Sequence, residues 1–268
     1  MIATTITRAT VVERSTPMQD AVELVLNHPE AAAATRPGQF FMLGVGAQHS
    51  LLRRPYSISS VDKAKGQLTF LFNVVGSGSA WLGEREAGQS VELLGPLGKG
   101  FTIEDNDRPA VCVAGGLGIA AFPALIGELV RLGRPVRLLY GARTARRLLP
   151  VERFRGVSVS LATDDGSTGV RGTVSQLLRD AFDDDSIDVF ACGPTPMLLE
   201  LVKQAGARGM DVNAIEIALE TPMGCGFGTC LGCAVPAAGG GYLLACQAGP
   251  CLRAGLIDWK SVVDVFHG

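Results

Sequence analysis

Charge is scarce in this sequence: 19% of its 268 residues are Asp, Glu, Lys or Arg, and 26 acidic against 24 basic side chains leave a formal net charge of −2. No basic stripe is available to displace counterions from a phosphate backbone, which excludes nucleic-acid binding by bulk electrostatics and confines any anion site to local groups. Long apolar runs are missing as well. No stretch approaches the ~18 consecutive apolar residues of a membrane-spanning helix, and the opening MIATTITRATVVERS is polar and β-branched, without the apolar centre of a leader. A cytoplasmic location is expected. Histidine is limited to His28, His49 and His267, which form no local constellation and receive no role. Seven cysteines are few for a disulfide framework of this length.

Apolar material is ample, with 47% of residues in the AVILMFWYC set, so the chain is folded and globular rather than disordered. Its length is nearly twice the ~150-residue domain prior, which suggests two domains with a small appendage. Up to about residue 103 the pattern is one of short β-type runs: Val22 to Leu26, Phe40 to Leu43, Tyr56 to Ile58, Leu68 to Asn73 and Ser90 to Leu94. Gly and Pro punctuate them, and one helix is expected over Ser79 to Glu86. Regularly spaced short strands favour a closed antiparallel barrel, because closure removes exposed edges.

From about Asp107 the pattern changes. Apolar runs at Ala110 to Ala114, Val136 to Tyr140, Val157 to Ala162 and Ile187 to Ala191 alternate with helical stretches near 119–132, 173–182 and 195–208. That alternation predicts a parallel sheet covered on both faces, which binds ligands at the carboxyl ends of its strands. From about 216 the chain is rich in Gly and Cys with little helical signal, and its order is expected to depend on a metal. The expected division is 1–103, 104–215 and 216–268. No internal repeat or disordered linker is evident.

The cysteines carry the strongest signal. Cys225, Cys230 and Cys233 share one loop, CGFGTCLGC, and Cys246 follows after twelve residues. This C-x4-C-x2-C…C spacing is that of plant-type two-iron two-sulfur (2Fe-2S) ferredoxins. A loop with three thiolates must wrap its cluster closely, which accounts for Gly224, Gly226, Gly228 and Gly232 as positions free of Cβ crowding. A structural zinc site also uses four cysteines but arranges them as separated pairs, so a zinc-stabilised interaction module is the non-enzyme alternative. Cys251 reads as a buried thiol near the cluster rather than a fifth ligand, and Cys112 as strand packing.

Two stretches suit a flavin. Arg53-Arg54-Pro55-Tyr56-Ser57-Ile58-Ser59 places a cation, an aromatic ring and hydroxyls on one strand. Arg54 would neutralise a pyrophosphate, Tyr56 would pack on the flavin and Ser57 would hydrogen-bond near its reactive nitrogen. An ordinary strand entry explains the motif equally well; alternation puts Arg54 and Tyr56 on one face and Ser57 on the other, yet Ser57 could still reach a flavin lying along the strand by using its backbone N–H as well. Gly76-Ser77-Gly78-Ser79 opens a helix whose free N–H groups could hold an anion, or is a plain cap. In the second domain Ala114-Gly115-Gly116-Leu117-Gly118 follows a strand and opens a helix, as a dinucleotide-binding turn does, although it departs from strict G-x-G-x-x-G. Cys192-Gly193-Pro194 is a second strand-to-helix turn, which would bring backbone and thiol beside a nicotinamide. Arg143, Arg146 and Arg147 suit a 2′-phosphate or, more simply, a solvated helix face.

The order RPYS, GSGS, AGGLGIA, CGPTPM and then the four cysteines resembles the ferredoxin-reductase-like flavoproteins over nearly the whole chain. More narrowly, Leu219-Glu220-x2-Met223-x-Cys225-Gly226 and Cys246-x2-Gly249-Pro250 resemble the electron transfer subunits of type B dihydroorotate dehydrogenases. The resemblance implies a multi-domain fold: an antiparallel flavin-binding β-barrel, an α/β parallel-sheet nucleotide-binding domain and a C-terminal iron-sulfur segment. It implies FAD at Arg54, Pro55, Tyr56, Ser57, Phe72, Asn73, Val74, Gly78 and Ser79. Cys225, Cys230, Cys233 and Cys246 would hold the 2Fe-2S cluster, while Gly115, Gly116, Gly118, Cys192, Gly193 and Pro194 would bind NAD. It further implies an FMN-containing catalytic partner subunit, a heterotetramer of two of each, and electron flow from that FMN through the cluster and FAD to NAD+ in pyrimidine biosynthesis. Family members usually carry an acidic residue where Ala248 stands and an aliphatic one where Cys251 stands. Subunits of NADH-ferredoxin oxidoreductases, sulfide dehydrogenases and hydrogenases share these motifs and form the alternative within the class.

Overall fold

The computed structural model describes residues 5–46, 51–181 and 186–266. His49, His267 and the last residue of the helix expected over 173–182 lie outside the described residues. Seven strands build the first unit: β1 (Ile6–Met18), β2 (Ala21–Asn27), β3 (Phe40–Leu43), β4 (Arg54–Ser57), β5 (Ser60–Asp62), β6 (Gln67–Asn73) and β7 (Ser90–Leu97). They form one antiparallel sheet in the order β4-β3-β7-β1-β2-β6-β5. Alternate side chains, among them Leu24, Leu26, Phe41, Phe70 and Phe72, turn into a common core.

The sheet curls until its two ends meet. The N–H of Ile58 donates to the Gln39 carbonyl, the N–H of Ser59 donates to the Thr69 carbonyl, and the Tyr56 ring lies 4.8 Å from that of Phe72. Two helices accompany the barrel, α1 (Pro29–Ala34) and α2 (Ser77–Gly83). The second begins and ends earlier than the expected Ser79 to Glu86. β1 escaped the hydrophobic pattern because only Ala9, Val11 and Met18 along it are buried.

The second unit contains β8 (Ala110–Gly115), β9 (Val136–Ala142), β10 (Ser158–Thr163), β11 (Val170–Arg171), β12 (Asp188–Cys192) and β13 (Ile215–Ala218), all parallel. A separate hairpin of β14 (Ala234–Pro236) and β15 (Tyr242–Leu244) follows, and β16 (Cys251–Arg253) then returns antiparallel beside β13. The sheet order is β11-β10-β9-β8-β12-β13-β16. β8 is buried throughout: Ala110, Cys112 and Ala114 face one core, Val111 and Val113 the other. Chain order reverses between β8 and β12, and ligands of such sheets bind at the carboxyl ends of the strands flanking this switch.

Helix α3 (Pro123–Arg131) occupies only part of the expected 119–132 stretch, since a 3-10 turn covers Gly116–Ala121. Pro123 lacks an N–H and is accommodated in the first turn, so the α-helix starts there. The 173–182 stretch is likewise a 3-10 turn over Val174–Asp180, while α4 (Thr195–Ala207) matches expectation.

The cysteine-bearing segment lies between β13 and β16 and is therefore fastened to the sheet at both ends. It includes α5 (Ala245–Ala248), and α6 (Trp259–Phe266) follows, which corrects the expectation of little helix. Val235, Cys246, Leu252 and Ile257 share a core with Phe40 and Met42 of the barrel and Val113 and Ile217 of the sheet. Apolar packing thus orders this segment alongside any metal. Among the described residues no helix is long and apolar enough to cross a membrane.

Candidate functional site

β4 carries Pro55, Tyr56 and Ser57 to the wall of a cleft of about 350 Å³ between the barrel and the sheet's switch point. Phe72 and Asn73, at the end of β6, lie on the same wall. All three β4 residues line the cleft, so strict strand alternation does not hold Ser57 away from it. Burial pushes the Tyr56 hydroxyl up to about 12, against the opposing charge of Arg54, and keeps it protonated. Arg54 itself stands off this cleft, with Nη1 donating to the Leu52 carbonyl at 2.8 Å.

The Gly78-Ser79 turn acts one step removed. Ser79 Oγ accepts the N–H groups of Val75 at 2.9 Å and Gly76 at 3.0 Å, so the hydroxyl caps α2 and secures Val75, which lines the cleft. Gly78 packs on Val45, and Val74 is exposed outside the cleft.

A second cleft of about 500 Å³ opens at the ends of β8, β9 and β12 and takes in Gly115, Gly116, Gly118, Gly193 and Pro194. Gly118 is required by close approach: a Cβ there would stand 2.2 Å from the Cys192 carbonyl oxygen and 2.8 Å from the Gly193 nitrogen. The two predicted turns therefore touch, and they share the switch-point crevice. Cys192 lines the first cleft, and burial, reinforced by the charge of Glu220, pushes its thiol up to about 12. It is a neutral wall at physiological pH rather than a thiolate. Asn73, Leu117, Gly118, Gly193 and Glu220 border both clefts, so groups bound in the two would meet there.

The arginines after β9 divide. Arg147 pairs with Asp20 of the barrel, Arg146 is exposed, and Arg143 lines the second cleft with Asp164. Arg143 and Arg146 are both exposed, and of the two only Arg143 lines the cleft.

All four predicted cluster cysteines are free thiols. Cys225 and Cys230 engage each other, as do Cys233 and Cys246, and Cys225 is close enough to act electrostatically on Cys246. Burial would raise the Cys225 thiol, but the N–H groups of Cys230, Phe227 and Thr229 aimed at its Sγ outweigh it and bring the group down to about 6. Such N–H groups stabilise anionic sulfur. Burial and the neighbouring sulfurs push Cys246 up to about 12. Among the described residues no three His, Cys, Asp or Glu side chains gather around a single-ion position. A two-and-two set of thiols suits a binuclear centre.

The loop glycines fit the same purpose. A Cβ on Gly226 would stand 2.6 Å from Met42 Cγ, and one on Gly228 would stand 2.1 Å from Gln247 Nε2. Both have positive φ, +83° and +92°. Met42 pairs with Pro55 across β3 and β4, so the cysteine loop packs on the strand next to the one bearing Tyr56.

Cys251 does not adjoin the cluster. It faces Gly38, whose carbonyl accepts from its Sγ at 3.4 Å, on the opposite side of the sheet from Cys246. Cys112 is fully buried in β8, as expected. Sequence reasoning passed over Asp164 and Thr221. Asp164 sits in no recognisable motif and Thr221 falls at an unspecified position within Leu219-Glu220-x2-Met223-x-Cys225-Gly226, so only the fold brings them to the clefts.

Residues 5–101 match the family model of the oxidoreductase FAD-binding domain, and residues 220–258 match that of the iron-sulfur cluster binding domain of dihydroorotate dehydrogenase B. A solved NADH-dependent reduced ferredoxin-NADP oxidoreductase chain superposes with a TM-score of 0.84 at 26% identity, covering 96% of this chain and 91% of that one. For a ferredoxin reductase of carbazole 1,9a-dioxygenase the TM-score is 0.70 at 26% identity, with 80% and 68% covered. Fold and site define an iron-sulfur flavoprotein oxidoreductase of the ferredoxin-reductase-like class.

The electron transfer subunit of dihydroorotate dehydrogenase B (NAD(+)) from Desulforamulus reducens is 37% identical over 239 residues, 87% of this chain and 90% of its own. That from Geobacillus kaustophilus is 34% identical over 254 residues, covering 92% and 96%. The chain belongs to this family of dihydroorotate dehydrogenase B electron transfer subunits.

Proposed function

We propose that the chain carries electrons between an FMN-containing catalytic partner, on which dihydroorotate is oxidised, and NAD+, within a cytoplasmic heterotetramer of two subunits of each kind serving pyrimidine biosynthesis. The observation that carries this reading is the junction of the two clefts at Asn73, Gly118, Gly193 and Glu220, with the cysteine loop continuing from the same wall. FAD converts between two-electron and one-electron transfer, and a 2Fe-2S cluster handles single electrons. Pro55, Tyr56, Ser57, Phe72 and Asn73 would hold the flavin ring, with Ser79 bracing Val75 beside it. Arg54 stands near enough to Tyr56 to influence it and would serve the charged end of the cofactor. The glycines at 115, 116, 118 and 193, with Cys192 and Pro194, would bind NAD and set the alignment on which hydride transfer depends.

Cys225, Cys230, Cys233 and Cys246 would hold the cluster. Phe227 and Leu231, both exposed in the cysteine loop, would contact the partner. An anaerobic visible-absorption titration of the isolated chain tests the assignment. NADH is expected to bleach the flavin and cluster bands, whereas dihydroorotate bleaches them only after the catalytic subunit is added. Bleaching by dihydroorotate alone would overturn the division of labour. Bleaching by reduced ferredoxin, with no response to the catalytic subunit, would favour the ferredoxin-linked reading suggested by the similarity to the ferredoxin-NADP oxidoreductase.

A further inference from the structure

Thr221 lies two positions past Leu219, where the chain leaves β13, and four before Cys225. Its backbone course is fixed from both sides: Ala218 pairs with Cys251, and the Leu219 N–H donates to the Pro250 carbonyl at 3.0 Å. The residue lines the 350 Å³ cleft together with Tyr56 and Ser57. It is 6% exposed, and Oγ1 is shut off from solvent with no hydrogen-bond partner in the protein. An orphaned buried hydroxyl costs free energy, and protein interiors rarely keep one without a use. Pocket-facing neighbours such as Leu219 and Met223 are apolar and cannot satisfy it.

We infer that Thr221 is a flavin-contacting residue: its hydroxyl takes its hydrogen-bond partner from the polar edge of the isoalloxazine ring, which offers both carbonyl and N–H groups. This rests on the reading of the cleft as the flavin site. Oγ1 is shut off from solvent, so the contact requires the side chain to change rotamer about χ1 when the ring binds. Because Thr221 is joined to Cys225 by three intervening residues of one strand of chain, the same contact ties the position of the ring to the position of the cluster loop. Thr221 would therefore set ring placement relative to the first cluster thiol.

The test compares Thr221→Val, an isostere without the hydroxyl, and Thr221→Ser, which keeps it, in full-length protein stripped of FAD and titrated with FAD by flavin fluorescence quenching. Thr221→Val is expected to bind FAD about 3–10-fold more weakly, the effect of one hydrogen bond, and Thr221→Ser to stay within about twofold of wild type. The visible bands of bound flavin should shift in the valine variant and return in the serine variant. The apoprotein with valine should melt no lower than wild type, since the hydroxyl removed has no partner there.

Ser57→Leu, which fills the cleft from another of its lining residues, separates the two readings. Wild-type FAD affinity in Thr221→Val together with lost affinity in Ser57→Leu overturns the role of Thr221 and leaves the cleft assignment standing. Wild-type affinity in both removes the cleft assignment and the proposal with it. Equal weakening in the valine and serine variants assigns the effect to packing and also overturns the proposal.

Discussion

Arg147, in the turn after β9, is ion-paired across the two units to Asp20 at the tip of the β1–β2 hairpin. Beside it the Gln19 N–H donates to the Arg146 carbonyl at 2.8 Å, and Arg153 pairs with Glu23 at 2.5 Å. Asp20 and Arg147 are both partly exposed, so the pair contributes no more than ~1 kcal/mol to stability. Its larger consequence is for coenzyme choice, because Arg147 also lines the second cleft, where NAD is proposed to bind.

A 2′-phosphate entering that cleft would meet a guanidinium paired with Asp20 and the carboxylate of Asp164, with Arg143 the other cation of the lining. NAD carries a 2′-hydroxyl instead and avoids both. The double variant Asp20→Asn, Asp164→Asn should therefore raise the ratio of kcat/KM for NADPH over NADH by about tenfold, the size of one charge-assisted hydrogen bond. An unchanged ratio in steady-state assays would place coenzyme selection elsewhere in the cleft.

Gly118 and Gly116 occupy the same turn for different reasons. Methylation of Gly118 drives a Cβ into the backbone of Cys192 and Gly193, which cannot give way without opening the switch-point crevice. Gly118→Ala is expected to lose about 1–3 kcal/mol in denaturant unfolding and to raise the KM for NADH. At Gly116, with φ +54° and nothing within 4 Å of an added Cβ, Gly116→Ala should cost only about 1 kcal/mol of backbone strain. Equal destabilisation of the two would contradict the contact between the turns.

These glycines show what was legible in the sequence. The turns at 115–118 and 192–194 announced themselves as strand-to-helix transitions, and the cysteine spacing pointed to four thiols that the fold sets in two pairs. β8 was readable because both its faces are apolar. β1 was not, because a long strand with three buried positions resembles a polar segment. The participation of β16 in the α/β sheet could not be read either, since three residues carry no period. Cys251 was misplaced beside the cluster for the same reason: five residues from Cys246 in sequence put it across the sheet in space. Thr221 and Asp164 depend wholly on long-range folding.

Glu216, on β13 between β12 and the edge strand β16, supplies a pH dependence. Burial raises its carboxyl above the ordinary value of 4.5, against the Thr102 N–H, which donates to Oε2 at 2.8 Å, and the charge of Arg253; Glu104 adds to the rise. A folded-state pKa above the unfolded one means that the folded protein holds the proton more tightly. The associated stability is present below pH 4.5 and is lost as pH rises through the raised value. Glu216→Gln retains an acceptor for the Thr102 N–H without the ionisation. Relative to wild type, the glutamine variant should gain stability in urea unfolding between about pH 4.5 and neutrality, the gain levelling off above the raised pKa. A difference that is flat across this range would assign Glu216 no titrating role in the fold.

The cysteines differ in what their loss can report. Cys233 and Cys246 are each 3% exposed within the core shared by barrel and sheet, so their replacement removes packing as well as a ligand. Cys230 is exposed and Cys225 half-buried, outside that core, and serine at either position alters the donor set while leaving the interior intact. Cys225→Ser and Cys230→Ser should therefore fold with near wild-type melting of the barrel yet lose the cluster's visible bands, whereas Cys251→Ser should keep them and lose about 1 kcal/mol from packing against Gly38. Metal analysis completes the test. Two iron and two sulfide per chain, with retention in Cys251→Ser and loss in Cys225→Ser and Cys230→Ser, follow from the paired thiols. One zinc per chain, with no acid-labile sulfide after anaerobic reconstitution, would instead return the four cysteines to a structural role and remove the single-electron carrier from the proposed path.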